Sequence, residues 1–235
     1  MNIKSLITAC VLGIFATAAH AEIKEGTDYV LLKKPIPQLN ADKIEVTQFF
    51  AYFCIHCKNL DPVLLQHSRS FPQDTYLRNV HVVWDENAIT MARIAAAVNA
   101  SGTLYQANPA IFDAMFTRGA DNRPTYNLND PATFKSWAAS KGAWGNAVVR
   151  AFDSPTNLAE AKNMEKMTFE YGINSTPQVM VGGKYQLNLS NNFAADMSRL
   201  DELIAKVRKE RNMATPKAKK ATLGAGAALA VQANQ

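Results

Sequence analysis

Residues 46–62 read VTQFFAYFCIHCKNLDP, Val46 to Pro62. An apolar, aromatic run leads directly into Cys54 and Cys57, with Ile55 and His56 between them. The run 44–52 is rich in β-branched and aromatic residues and reads as a buried strand. From Cys54 to about Ser68 the chain reads as a helix, which Pro62 should kink or tighten into a turn. The two cysteines thus sit where a strand ends and a helix begins. Their spacing puts both side chains on neighbouring positions of one helical face. The Cα atoms should then lie within the roughly 4.4–6.8 Å that a disulfide tolerates.

The compartment decides what such a pair means. The N-terminal stretch MNIKSLITACVLGIFATAAHAE carries Lys4, an apolar run from Leu6 to about Ala19, and the small-x-small site Ala19-His20-Ala21. Residues 1–21 read as a secretory signal peptide cleaved after Ala21, of a bacterial, periplasmic style. The run is shorter than the roughly 20 residues of a membrane-spanning helix, and it continues too far past Cys10 for a lipoprotein signal. Cleavage removes Cys10 and leaves Cys54 and Cys57 alone. An oxidising compartment favours disulfides, but one pair closing a tiny loop restrains little of the unfolded chain. A zinc half-site would need two further ligands, and His67 and His81 show no paired spacing. Redox chemistry explains the pair better than a staple or a metal, and no metal or cofactor is expected.

Composition fits a folded domain, with 48 % hydrophobic residues. The net charge of +5 is unevenly spread. Lys4 lies in the signal, and Lys217, Lys219 and Lys220 lie in the tail, leaving 21 basic against 20 acidic residues over 22–212. A nearly neutral body carries no nucleic-acid footprint. Residues 22–43 read as irregular around Pro35 and Pro37, and Val80–Trp84 as a second strand. From 88 to about 166 the stretches MARIAAAVNA, PAIFDAMF, PATFKSWAAS and WGNAVVRAF have helical period. A further helix ends at Gly172. Strand-like runs 178–181 and 184–187 flank Gly182-Gly183, a hairpin signal. A closing amphipathic helix carries Met197, Leu200, Leu203, Ile204 and Val207 on one face. Residues 213–235 are Ala-rich, of low complexity, and read as a disordered tail.

A cysteine in the first helical turn faces unpaired backbone N–H groups and the positive end of the helix dipole. Both favour the thiolate, and His56 adds to them when protonated or donating a hydrogen bond. Such surroundings lower a thiol pKa from about 8.5 into the range of roughly 3.5–7.5. A stabilised thiolate stabilises the reduced state, so the disulfide becomes a better oxidant of other thiols. Cys54 reads as the attacked and attacking sulfur, and Cys57 as the resolving thiol.

A strand, a CxxC that opens a helix, a helical insertion, and Ile173-Asn174-Ser175-Thr176-Pro177 ahead of VMVGGKYQL together resemble the thioredoxin superfamily. Within it, FFAYFCIHCKNLDP resembles the motif of the DsbA family of periplasmic thiol oxidases. The resemblance covers roughly residues 22–212. It implies an α/β thioredoxin fold with an inserted all-helical domain, the fold occupying 22–87 and 167–212 and the insertion 88–166. It also implies a cis bond at Pro177 beside Cys54, with the Thr176 backbone free to pair with an extended substrate and its hydroxyl near the thiolate. The expected partners are cysteine-containing exported proteins and a DsbB-type inner-membrane quinone reductase, met by a monomer that donates its Cys54–Cys57 disulfide. Two positions depart from the best known members. Ile55 stands where they carry proline, so redox potential and substrate surface are both expected to differ, while His56 preserves the oxidising feature. Gln48 stands where the family often has a buried acid, and an amide cannot take up a proton. The alternatives are a reductase or isomerase of the same fold, and a chaperone-like module that binds peptides on Phe50, Tyr52 and Phe53.

Overall fold

Strand β2 (Ile44–Phe50) is buried at all seven positions, as a strand covered on both faces must be. The computed structural model describes residues 23–190 and 192–216. The expected signal peptide and the 217–235 part of the expected tail lie outside the described residues. Around β2 the sheet adds β1 (Tyr29–Leu31), β3 (Thr75–His81), β4 (Gln178–Val181) and β5 (Tyr185–Leu187), in the order β1-β5-β4-β2-β3. β3 is parallel to β2, in a register from Ile44↔Thr75 to Phe50↔His81, and the other pairs are antiparallel. A parallel pair needs a crossover, and helix α1 (Ile55–Ser68) supplies it, continuing through Pro62.

The helical block comprises α2 (Ile89–Ser101), α3 (Leu104–Phe116), α4 (Pro131–Ala139), α5 (Ala143–Phe152) and α6 (Asn157–Glu170). Its ends follow from the sequence. Asp130 caps α4 through the Thr133 N–H, with Pro131 at the first helical position. Gly102 and Gly172 take left-handed conformations just past α2 and α6. Helix α7 (Phe193–Glu210) closes the chain. It buries Leu200, Leu203, Ile204 and Val207 in a cluster with Ile44, Val46, Leu60, Leu64, Val179 and Val181. Each such side chain contributes about 1.5–3 kcal/mol of burial. A second cluster joins Phe49, Phe50, Val80 and Met180 to the helical block. This is the expected architecture, a thioredoxin-type sheet with a helical insertion.

Four local expectations need correction. The stretch read as irregular contains β1, whose three residues are too few to show an alternating pattern. The strand read as Val80–Trp84 begins at Thr75 and ends at His81. Its first half looked polar because of Arg78 and Asn79, but buried Arg78 is paired with Glu45 and Glu160. The helix read from PAIFDAMF begins five residues earlier, at Leu104, with Pro109 inside it. Met213, read as the start of the tail, packs against the α7 cluster and donates its N–H to Arg208.

Candidate active site

Cys54 is the N-cap of α1, with extended backbone angles, and its Sγ accepts the Cys57 N–H at 3.2 Å. This is the role a capping serine or aspartate takes elsewhere, and here it is given to sulfur. The first turn of α1 holds no acidic residue, so no carboxylate competes for the positive end of the dipole. The Cys54 pKa falls to about 5. The largest cause is the Cys57 thiol, which donates to Cys54. Partial burial opposes it, and the Thr176 hydroxyl and the backbone N–H groups of Cys57 and His56 add to it. The same thiol–thiolate bond, with burial, pushes the Cys57 pKa up. One sulfur is thus an anion at neutral pH and the other a buried thiol.

The loop ahead of β4 completes the site. Thr176–Pro177 is cis, as the resemblance implied, and the Thr176 carbonyl oxygen lies 3.5 Å from Cys54 Sγ. Two side chains pin this loop. The Trp84 indole N–H donates to Ile173 O at 2.7 Å, and Gln178 Nε2 donates to Ser175 O at 3.1 Å. The Trp84 ring also lies 6.3 Å from that of Phe53. Around Cys54 an apolar rim stays open to solvent, with Phe53 52 %, Ile55 48 % and Trp84 38 % exposed.

The residues singled out in the sequence are therefore distributed as follows. Cys54, Cys57 and Thr176 converge, and Pro177 follows in the same loop. His56 reaches Cys54 through its backbone N–H, while its side chain is exposed. Ile55 lies on the rim. Gln48 is buried in β2, and neither atom of its side-chain amide has a hydrogen-bond partner among the described residues. The face proposed for peptide binding is corrected. Phe50 and Tyr52 are fully buried, stacked edge-on at 4.8 Å, and only Phe53 can meet a ligand. Among the described residues no group of three His, Cys, Asp or Glu could hold a metal ion.

Sequence reasoning missed a polar cluster beneath Cys57. Asp61 is 1 % exposed, and its Oδ1 accepts Asn108 Nδ2 at 2.5 Å. Asn108 Oδ1 in turn accepts the Tyr52 hydroxyl at 2.7 Å. Burial raises the Asp61 pKa to about 7, against the Asn108 hydrogen bond, which lowers it. Beside Tyr52, His81 is fully buried, its pKa lowered to about 3 by desolvation. Its Nε2 accepts the Tyr52 N–H, and its Nδ1–H donates to Val82 O. The available signal for Asp61 was its place four residues after Cys57. The signal for Trp84 was a tryptophan at the end of a strand-like run.

The chain is 27 % identical over 208 residues to the thiol:disulfide interchange protein DsbA of Bordetella pertussis, covering 87 % of this chain and 96 % of that protein. Against the reduced DsbA1 of Neisseria meningitidis the identity is 40 % and the TM-score 0.74, over 82 % of this chain and 99 % of that one. Against the oxidoreductase NmDsbA3 of the same organism the values are 46 % and 0.70, over 81 % and 100 %. No protein-family model matches the chain.

Proposed function

Because the chain belongs to the DsbA family of thiol:disulfide oxidoreductases, we propose that Cys54 and Cys57 are its redox pair and that Cys54 is the sulfur substrates meet. The enzyme is a disulfide oxidase. In the oxidised form a substrate thiolate attacks Cys54 Sγ. The Cys54–Cys57 bond breaks, and Cys57 leaves with the electron pair. The substrate's second thiolate then attacks the substrate sulfur of the mixed disulfide and expels Cys54 as its thiolate. The substrate loses two electrons and two protons; the cysteine pair ends as a Cys54 thiolate and a Cys57 thiol, with one proton on Cys57 and the other released to solvent.

One observation carries this reading, the Cys54 pKa of about 5. A thiol that ionises this easily is a good leaving group, and its stability as an anion favours the reduced enzyme. DsbA is itself the standing illustration of that linkage. The Thr176 backbone offers an edge to which an extended substrate adds as a strand. Thr176 and Pro177 thus form the substrate site. The exposed rim of Phe53, Ile55 and Trp84 suits apolar, unfolded chain, and exposed His56 offers its backbone N–H to the attacked sulfur. Ile55 and Gln48 tune the potential. The substrates are cysteine-containing exported proteins, the working compartment is the periplasm, and a DsbB-type inner-membrane quinone reductase restores the disulfide of the monomeric enzyme.

Equilibration with glutathione tests the reading. A potential more oxidising than about −200 mV is expected, and a value near the −270 mV or so of thioredoxin points instead to a reductase.

A further inference from the structure

When substrate opens the disulfide, Cys57 departs as a thiolate into a fully buried site. A lone buried anion is costly, so the sulfur needs a proton at that moment and must lose one when the disulfide re-forms. The side chains around it differ in whether they can exchange a proton. Gln48 is an amide. His81 has both ring nitrogens committed, Nε2 accepting from Tyr52 N and Nδ1–H donating to Val82 O. The Tyr52 pKa is raised well above its ordinary value by burial. On α1, Lys58 is paired with Asp113 of α3 at 2.9 Å. His67, at the far end of α1, pairs with Asp201 of α7 at 2.8 Å. Arg69 stacks on Tyr105 of α3.

Asp61 remains. It lies one turn below Cys57 on the same buried face of α1. Side chains on a helix lean toward its N-terminus, so Asp61 leans toward the turn that carries Cys57. Asn108 holds one carboxyl oxygen, and Oδ2 has no hydrogen-bond partner among the described residues. A buried carboxyl with an unpaired oxygen is poorly accommodated as an anion and well placed to carry a proton.

We propose that Asp61 is the proton donor and acceptor for Cys57, and that Asn108, backed by Tyr52, sets its proton affinity. The inference rests on the disulfide-exchange reading above. As the Cys54–Cys57 bond breaks, the electron pair stays on Cys57 Sγ, which takes the proton of the Asp61 carboxyl, relayed across the one-turn gap by a water, and leaves its carboxylate. In re-oxidation the Cys57 thiol returns the proton to Asp61 as its sulfur attacks the mixed disulfide on Cys54. The acid therefore sits on the helix, at the turn after the resolving cysteine, rather than at the strand position held by Gln48.

The test is the rate at which a two-cysteine peptide reduces the oxidised enzyme, measured by stopped flow from pH 5 to 9 and corrected for the peptide's thiolate fraction. Wild type should slow as pH rises through about 7 and should show a solvent deuterium isotope effect below it. Asp61→Asn should be slower below pH 7, by roughly 100-fold, with no inflection and no isotope effect. Asn108→Ala should move the inflection to higher pH, because the hydrogen bond that lowers the Asp61 pKa is gone. If Asp61→Asn matches wild type below pH 7 and exceeds it above, the carboxylate acts by repulsion alone and the proposal is overturned. An unchanged inflection in both variants overturns it equally. Wild-type enzyme that fails to oxidise the peptide at any pH contradicts the function itself, a different result from any of these.

Discussion

The indole N–H of Trp84 donates to the carbonyl oxygen of Ile173 at 2.7 Å, tying the segment after β3 to the loop that holds Thr176 and Pro177. The same ring lies against Phe53, the residue before Cys54. One side chain thereby fixes both halves of the site relative to each other. Trp84→Phe keeps an aromatic contact and removes the donor. It should cost about 1–2 kcal/mol in urea unfolding and slow peptide oxidation several-fold. Unchanged stability and rate would mean the loop is held without this bond.

The Cys57 thiol is the largest stabiliser of the Cys54 anion. Cys57→Ala should raise the Cys54 pKa by roughly 1 unit or more, whereas Cys57→Ser, whose hydroxyl still donates, should raise it less. Thr176→Val should give a smaller upward shift, in keeping with the lesser weight of that hydroxyl. Thiolate absorbance against pH reads all three.

Two buried groups set opposing pH dependences of stability. Asp61 is raised from 3.8 to about 7, and His81 is lowered from 6.5 to about 3. Between about pH 4.5 and 6.5 the native state therefore binds one proton more than the unfolded state on Asp61 and one fewer on His81. Asp61 makes stability fall as pH rises through this window, and His81 makes it rise. The depressed carboxylates Asp74, Asp130, Glu170 and Glu210 act below it. The disulfide-bonded protein should hold nearly constant stability across the window. Asp61→Asn should lose about 1.4 kcal/mol for each unit that pH drops below 6.5, and should be more stable than wild type above pH 7. Parallel profiles in urea unfolding would remove Asp61 from the account.

Gly183 turns the hairpin with φ +65, and a Cβ there would lie 2.0 Å from the Ile36 carbonyl oxygen. Ile36 N–H also donates to Gly183 O. Gly183→Ala should destabilise by about 2 kcal/mol or more, through both the left-handed backbone and the clash. A thermal midpoint equal to that of wild type would contradict this packing.

The sequence made some features plain and hid others for physical reasons. β2, α1 and the hairpin at Gly182-Gly183 were readable because local signals, aromatic runs and paired glycines agree with the tertiary arrangement. Cys54 and Cys57 were readable because their positions define the chemistry. β1 was not, since three residues carry no period, and β3 was misplaced because Arg78 is buried only by virtue of Glu45 and Glu160, far away in sequence. Phe50 and Tyr52 could not be told from Phe53 in one aromatic run. What separates them is the cover of α3 and the packing of Phe112 against both rings. The Asp61–Asn108–Tyr52 chain links three segments that nothing in the sequence joins.

The ionisation of Cys54 in the reduced protein tests the account most directly. Iodoacetamide alkylation, followed from pH 3 to 9 and mapped to Cys54, should show a midpoint near 5. A midpoint near 8.5, that of an ordinary thiol, would contradict the stabilised thiolate on which the oxidase reading stands.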